Sequence, residues 1–168
     1  MAATTTLVSV EEYLSTSYKP DVNYIDDHLE ERNVGTPEHG DLTWYLKFLL
    51  RARGLRVFTE ARLRVAPKRY RVPDVCAYLT DPCEKRVLTV APLLVIEVLS
   101  PEDRLQRTAV EANDYLDMGV PIVWIVDPVE KLAYVVDSKT RRLFQVGDTI
   151  AAFDGAYSLT LEEIFAEV

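Results

Sequence analysis

The run Leu93-Leu94-Val95-Ile96-Glu97-Val98-Leu99 constrains this chain more than any other segment. Six of its seven residues are aliphatic, and such unbroken apolarity predicts a central strand covered on both faces. One carboxylate, Glu97, sits inside it. A lone charge in such a strand is costly unless it is paired, solvated or protonated. A second acid, Asp74, follows Pro73 in another strand-like run, Arg71 to Tyr78. There a period of two places Val72, Asp74 and Cys76 on one face and Val75, Ala77 and Leu79 on the other. If the two acids face each other, they form a site for a hard divalent cation, Mg²⁺ or Mn²⁺. The competing reading is an ion pair with a nearby arginine, Arg71 or Arg62.

Around these runs the chain reads as alternating helices and strands. Ser9-Val10-Glu11-Glu12 opens a short helix burying Val10, Tyr13 and Leu14. Residues 23–34 are polar and poorly periodic, a strand and turn region. Thr36-Pro37-Glu38 starts a long helix with Leu42, Tyr45, Leu46, Leu49 and Leu50 as its apolar stripe, ended by Gly54. Strands are predicted over 55–66 and 71–79, with a turn at Pro67-Lys68-Arg69. Ser100-Pro101 caps a second long helix, with Leu105, Ala109, Ala112 and Leu116 buried and Gly119 at its end. A buried strand follows over 121–127, then a hairpin over 131–137 and 142–146, and Thr160 caps a last short helix. Trp44 and Trp124 both fall in apolar periodic contexts and are expected in the core. The order predicts one α/β domain spanning 1–168, a mixed central sheet flanked by helices, with a C-terminal hairpin and short helix added.

Composition narrows the function. The net charge of −8 counts against tight non-specific DNA binding but leaves room for a local basic patch. Such a patch lies just before Asp74, where Arg62, Arg64, Arg69 and Arg71 are candidates for phosphate contact; a solvated strand face explains them equally well. Two cysteines, Cys76 and Cys83, lack metal-site spacing and read as reduced thiols. No apolar stretch reaches the roughly 20 residues of a membrane span, and no secretory signal opens the chain, so a cytoplasmic protein is expected. There is no GxxxxGK[ST], GxGxxG or GxSxG motif.

Four strings together carry a resemblance: Arg71-Val72-Pro73-Asp74-Val75, Pro92 through Pro101, Tyr115 through Val120, and Trp124-Ile125-Val126-Asp127-Pro128. The chain resembles the Uma-type bacterial restriction endonucleases, of the PD-(D/E)XK or restriction-endonuclease-like superfamily, from about Asn23 to the C-terminal helix. The resemblance implies a mixed sheet with helices on both sides. It implies that Asp74 and Glu97 hold the metal, helped by the carbonyl of Val98. A lysine normally follows two residues after the second acid; here that position is Leu99. Uma-type proteins often move the lysine onto the next helix, where this chain has Glu111. Arg107, one turn earlier, is the candidate for the missing positive charge, against a bland surface pair with Glu111. Being always charged, it would steady an anion rather than accept a proton. Glu60 or Glu38 would supply a further acid, because the acid common near position 23 is here Asn23. His39 matches a histidine common at this helix start and would shuttle protons.

Two functions stand on this reading. One is a metal-dependent endonuclease cutting DNA, as a homodimer if both strands are cleaved. The other is a catalytically degenerate nuclease fold that binds nucleic acid or a protein partner, favoured by Leu99 and Glu111 at both lysine positions.

Overall fold

The computed structural model describes residues 7–33, 35–82, 86–101, 105–145 and 147–167. The chain begins with α1 (Val10–Ser15), β1 (Asn23–Ile25), β2 (His28–Glu30) and α2 (Pro37–Ala52). Next come β3 (Arg56–Thr59), β4 (Leu63–Ala66), β5 (Arg69–Arg71) and β6 (Val75–Tyr78). Then follow β7 (Leu94–Val98), α3 (Leu105–Met118), β8 (Ile122–Asp127), β9 (Leu132–Asp137) and β10 (Arg141–Phe144). The chain closes with β11 (Thr149–Ala152), β12 (Tyr157–Thr160) and α4 (Leu161–Ile164).

The central sheet has the order β10-β9-β8-β7-β6-β3. Only β7 and β8 run parallel, and α3 makes the crossover between them. All five residues of β7 are buried, as its apolar run requires. Its even positions, Leu94, Ile96 and Val98, pack in one core with Leu42, Leu46 and Leu50 of α2 and with α4. Val95 and Leu99 pack in a second core with Ala112 and Tyr115 of α3. The period of two thus separates a face covered by α2 and α4 from one covered by α3, and Glu97 belongs to the α3 face.

The expected strands over 55–66 and 71–79 each break in two. The first breaks at Glu60, whose φ of 51° takes the chain out of extended geometry. The second breaks at Pro73, which has no N–H to offer a ladder. The outer halves, β3 and β6, pair in the central sheet; the inner halves, β4 and β5, join β1 and β2 in a second sheet of order β2-β1-β5-β4. The two corners touch, the Glu60 N–H donating to the Pro73 carbonyl at 3.1 Å. Asp74 therefore lies where the chain passes from one sheet to the other.

Both long helices end as their glycines predict. Gly54 (φ 88°) and Gly119 (φ 107°) take left-handed backbone, and the next amides bond back to Leu50 and Tyr115 at 3.2 and 3.0 Å. The first turn expected after Ser100 falls on residues 102–104, outside those described. The buried stripe of α3 is Thr108, Ala112 and Tyr115, with Leu105 on the exposed side, so the helix is rotated from the expected stripe toward the polar cleft. The expected hairpin forms as β9 and β10, but it extends the central sheet through β8 rather than standing apart. A second hairpin, β11–β12, was not expected; it leads into α4, whose capping box at Thr160 is present. Trp124 is fully buried, whereas Trp44 is 66% exposed and does not serve the core. Among the described residues no helix is long and apolar enough to cross a membrane.

Candidate active site

Strand register brings the two acids together. β6 and β7 pair antiparallel, with Val75 opposite Ile96 and Cys76 opposite Val95. One step back along the same register sets Asp74 beside Glu97, both on the α3 face. The Val98 N–H donates to Asp74 Oδ2 at 2.8 Å, and the Asp74 N–H faces Glu97 Oε2 at 3.4 Å. Asp74 is 4% exposed and Glu97 7%. They form the floor of a polar cleft of about 50 Å³ walled by Asn23, Arg32, His39, Ser100, Arg107 and Glu111. At roughly 10–15 Å³ per water, that is room for a few waters or a partly hydrated ion.

His39 reaches this floor from the first turn of α2. Thr36 caps the helix by accepting the His39 N–H at 3.3 Å, and Pro37 presets the first turn. The ring then lies with Nε2 3.1 Å from Asp74 Oδ2. A Cβ on Gly35 would stand 2.7 Å from His39 Nδ1, so the preceding loop needs a glycine to let the ring pass. Opposite, Arg32 donates from Nη2 to Asp74 Oδ1 at 2.7 Å, and its Nη1 lies 3.9 Å from Glu60. From α3 the Tyr115 hydroxyl donates to Glu97 Oε1 at 2.5 Å.

The electrostatics follow from burial. Glu97 is held well above the ordinary glutamate range, first by burial, then by the like charges of Asp74 and Glu111; the Tyr115 hydroxyl and Arg32 pull the other way and do not prevail. Glu111 is also raised, by burial, against the pull of Arg71. Burial and mutual repulsion thus disfavour having all of these acids ionised at once. The cleft's two floor carboxylates are hard oxygen donors of the kind that suits Mg²⁺ or Mn²⁺, and Val98 also lines the cleft. Among the described residues no group of three or more His, Cys, Asp and Glu side chains is placed to hold a metal ion.

The other expected residues divide. Arg107 lines the cleft, 3.5 Å from Glu111 and 3.4 Å from Glu30, and donates to the Glu31 carbonyl at 2.8 Å. Glu60 stays outside it with a 67% exposed side chain, which lies 3.9 Å from Arg32, while its N–H faces the Asp74 carbonyl at 3.4 Å. Of the arginines expected to face phosphate, Arg62, Arg69 and Arg71 are engaged within the chain, while Arg64 is exposed. Arg62 clamps Asp21 at 2.7 Å, donates to the Tyr13 and Thr16 carbonyls, and lies 4.2 Å over the Tyr13 ring. Arg69 joins Asp26 and Asp114, and the buried Arg71 joins Glu30, Glu111 and Asp114. Neither acid of the pair bonds Arg71 or Arg62; the arginine on Asp74 is Arg32, which sequence reasoning missed. Tyr115 was missed as well. Its only signal was its place in the quoted Tyr115–Val120 string.

With this geometry in hand, comparison with known proteins is decisive for the family. The family model named Uma2, described as "Putative restriction endonuclease", matches residues 10–165. The chain belongs to the Uma2 family. A solved Anabaena variabilis structure, titled as a "putative nuclease belonging to DUF820", superposes with a TM-score of 0.83 at 18% identity, over 95% of this chain and 98% of that one. At that identity the likeness speaks for the fold, which is restriction-endonuclease-like. No curated protein matches this chain. As a Uma2 protein, this chain carries its acid pair in a nuclease fold while lacking a lysine at both positions where the family resemblance places one, Leu99 and Glu111.

Proposed function

We propose that this protein is a metal-dependent endonuclease that hydrolyses phosphodiester bonds in DNA. The observation that carries the reading is the pairing of Asp74 with Glu97 across β6 and β7 at the floor of a polar cleft. Asp74, Glu97 and the Val98 carbonyl would hold Mg²⁺ or Mn²⁺. When bound, the ion supplies an activated water and offsets charge developing at phosphorus.

The chain's own residues supply the rest. Val98 N–H and His39 fix Asp74 through Oδ2, leaving Oδ1 toward Arg32. Tyr115 fixes the rotamer of Glu97 through Oε1. His39 lines the cleft, and an imidazole is a side chain suited to carry a proton near neutral pH. Arg32 and Arg107 stand where a scissile phosphate would enter, and neither can act as a base. Cutting both strands would take two copies of the site. Supercoiled plasmid incubated with Mn²⁺ or Mg²⁺ tests the reading: nicked and linear product should form with the native protein and vanish with Asp74→Ala. Absence of cleavage with either metal would sink it.

Two features favour a second reading, a nuclease fold that binds without cutting. Glu111 stands where the family resemblance places a lysine, and Arg32 already pairs with Asp74. In that case the plasmid would be bound and left intact.

A further inference from the structure

The outward stripe of α2 carries residues that neither core nor cleft uses. Lys47 and Phe48 lie three and four residues after Trp44, and four and three before Arg51, so the four share one helix face. Trp44 is 66% exposed and Phe48 54%, although burying either ring would be favourable. The two rings stack at 5.9 Å with 8° between their planes. Arg51 is exposed and makes no ion pair among the described residues, and Lys47 reaches only the Thr59 hydroxyl at 3.4 Å.

A groove of about 220 Å³ opens beside Trp44 and Lys47 of this stripe, lined also by His39, Gly40, Thr43, Thr59 and Glu60, while Phe48 and Arg51 lie outside its lining. His39 also lines the acid cleft, so groove and cleft share that residue. On the groove wall the Thr43 hydroxyl is buried and has no hydrogen-bond partner among the described residues. Gly40 leaves the floor open, with nothing within 4 Å of a Cβ built there.

We infer that this groove binds a single-stranded stretch of the nucleic-acid substrate, one base stacked on Trp44 and the flanking phosphates met by Lys47 and Arg51. Interleaved rings and cations suit a partner that presents flat π faces and negative charge in alternation, which a polynucleotide strand does. A second copy of this chain fits less well, because its net charge of −8 offers carboxylates but no ordered series of flat faces. Because His39 lines both, a strand held in the groove would lie next to the acid cleft. The inference rests on the nuclease reading and adds the place where the strand is held.

The chain's two tryptophans make the test direct, since Trp124 is fully buried and Trp44 is not. An oligothymidylate is titrated into the full-length protein in low-salt buffer with Ca²⁺. Binding is followed by anisotropy of a label on the oligonucleotide and, in parallel, by tryptophan emission. Stacking predicts quenching of the red-edge emission of Trp44 in step with the anisotropy. Trp44→Leu should weaken binding roughly tenfold, and Trp44→Phe should retain most of it. Anisotropy that rises without quenching, or that Trp44→Leu leaves unchanged, would overturn the groove while leaving the nuclease reading standing. Loss of a dimer in Trp44→Leu by sedimentation, with no quenching in the native protein, would also overturn it and assign the face to self-association. No oligonucleotide binding at all overturns it too, and plasmid cleavage and metal binding then decide the nuclease reading separately.

Discussion

Arg32 sits on the Asp74 oxygen that a divalent cation would use. Asp74 Oδ2 is taken by Val98 and His39, so Oδ1 is the oxygen left to share, and Arg32 holds it at 2.7 Å. Removing that guanidinium leaves two carboxylates and no neighbouring cation on the same oxygen. Arg32→Gln should therefore tighten Mn²⁺ binding by roughly tenfold, the scale of one opposing charge lost from a partly buried site. Weaker binding in the variant would mean that Arg32 orients Asp74 rather than competing for it. The two acids were legible in the sequence because an acid in an apolar, period-two strand has few reasons to be there. Arg32 was not legible. It lies in a polar, aperiodic stretch, and its partner is 42 residues away. Only the fold brings them together.

Between elements, Arg71 links the small sheet to α3. At 5% exposed it meets Glu30 on β2 and both Glu111 and Asp114 on α3. Arg71→Ala would leave Glu111 and Asp114, both largely buried, without this partner, and should cost about 3 kcal/mol of stability, read from the urea midpoint. Arg71→Lys should recover only part, because an ammonium cannot make the same fork. A loss under 1 kcal/mol would show that water solvates this cluster far better than its burial suggests. Glu111 is thus as much a partner of Arg71 as a lost lysine. The element order was readable from caps and periodicity, but the splitting of 55–66 and 71–79 was not. Glu60 gives no turn signal, and a single proline in a strand leaves open whether the chain bends or merely sits at an edge. Trp44 misled for a related reason: the α2 stripe is apolar over more positions than the core can cover.

For the molecule as a whole, the buried acid pair should shape its response to pH. Glu97 has its folded value raised above the ordinary one near 4.5. A group raised in this way favours the folded state fully below its unfolded value, and that contribution is lost as pH rises through the folded value. Metal-free stability should therefore decline as pH climbs from about 4.5, and Glu97→Gln should flatten the decline. A native protein and variant with parallel pH profiles would remove Glu97 as the cause. A bound cation favours the ionised Glu97 that burial disfavours, so apparent metal affinity should rise with pH. All of this depends on the acids holding a metal, which calorimetry measures without a guess at substrate. Mn²⁺ titrated into the native protein, Asp74→Ala and Glu97→Ala, each shown folded by circular dichroism, should give binding only in the native protein. Equal binding in all three, or none in the native protein at millimolar Mn²⁺, would contradict a metal centre built on Asp74 and Glu97.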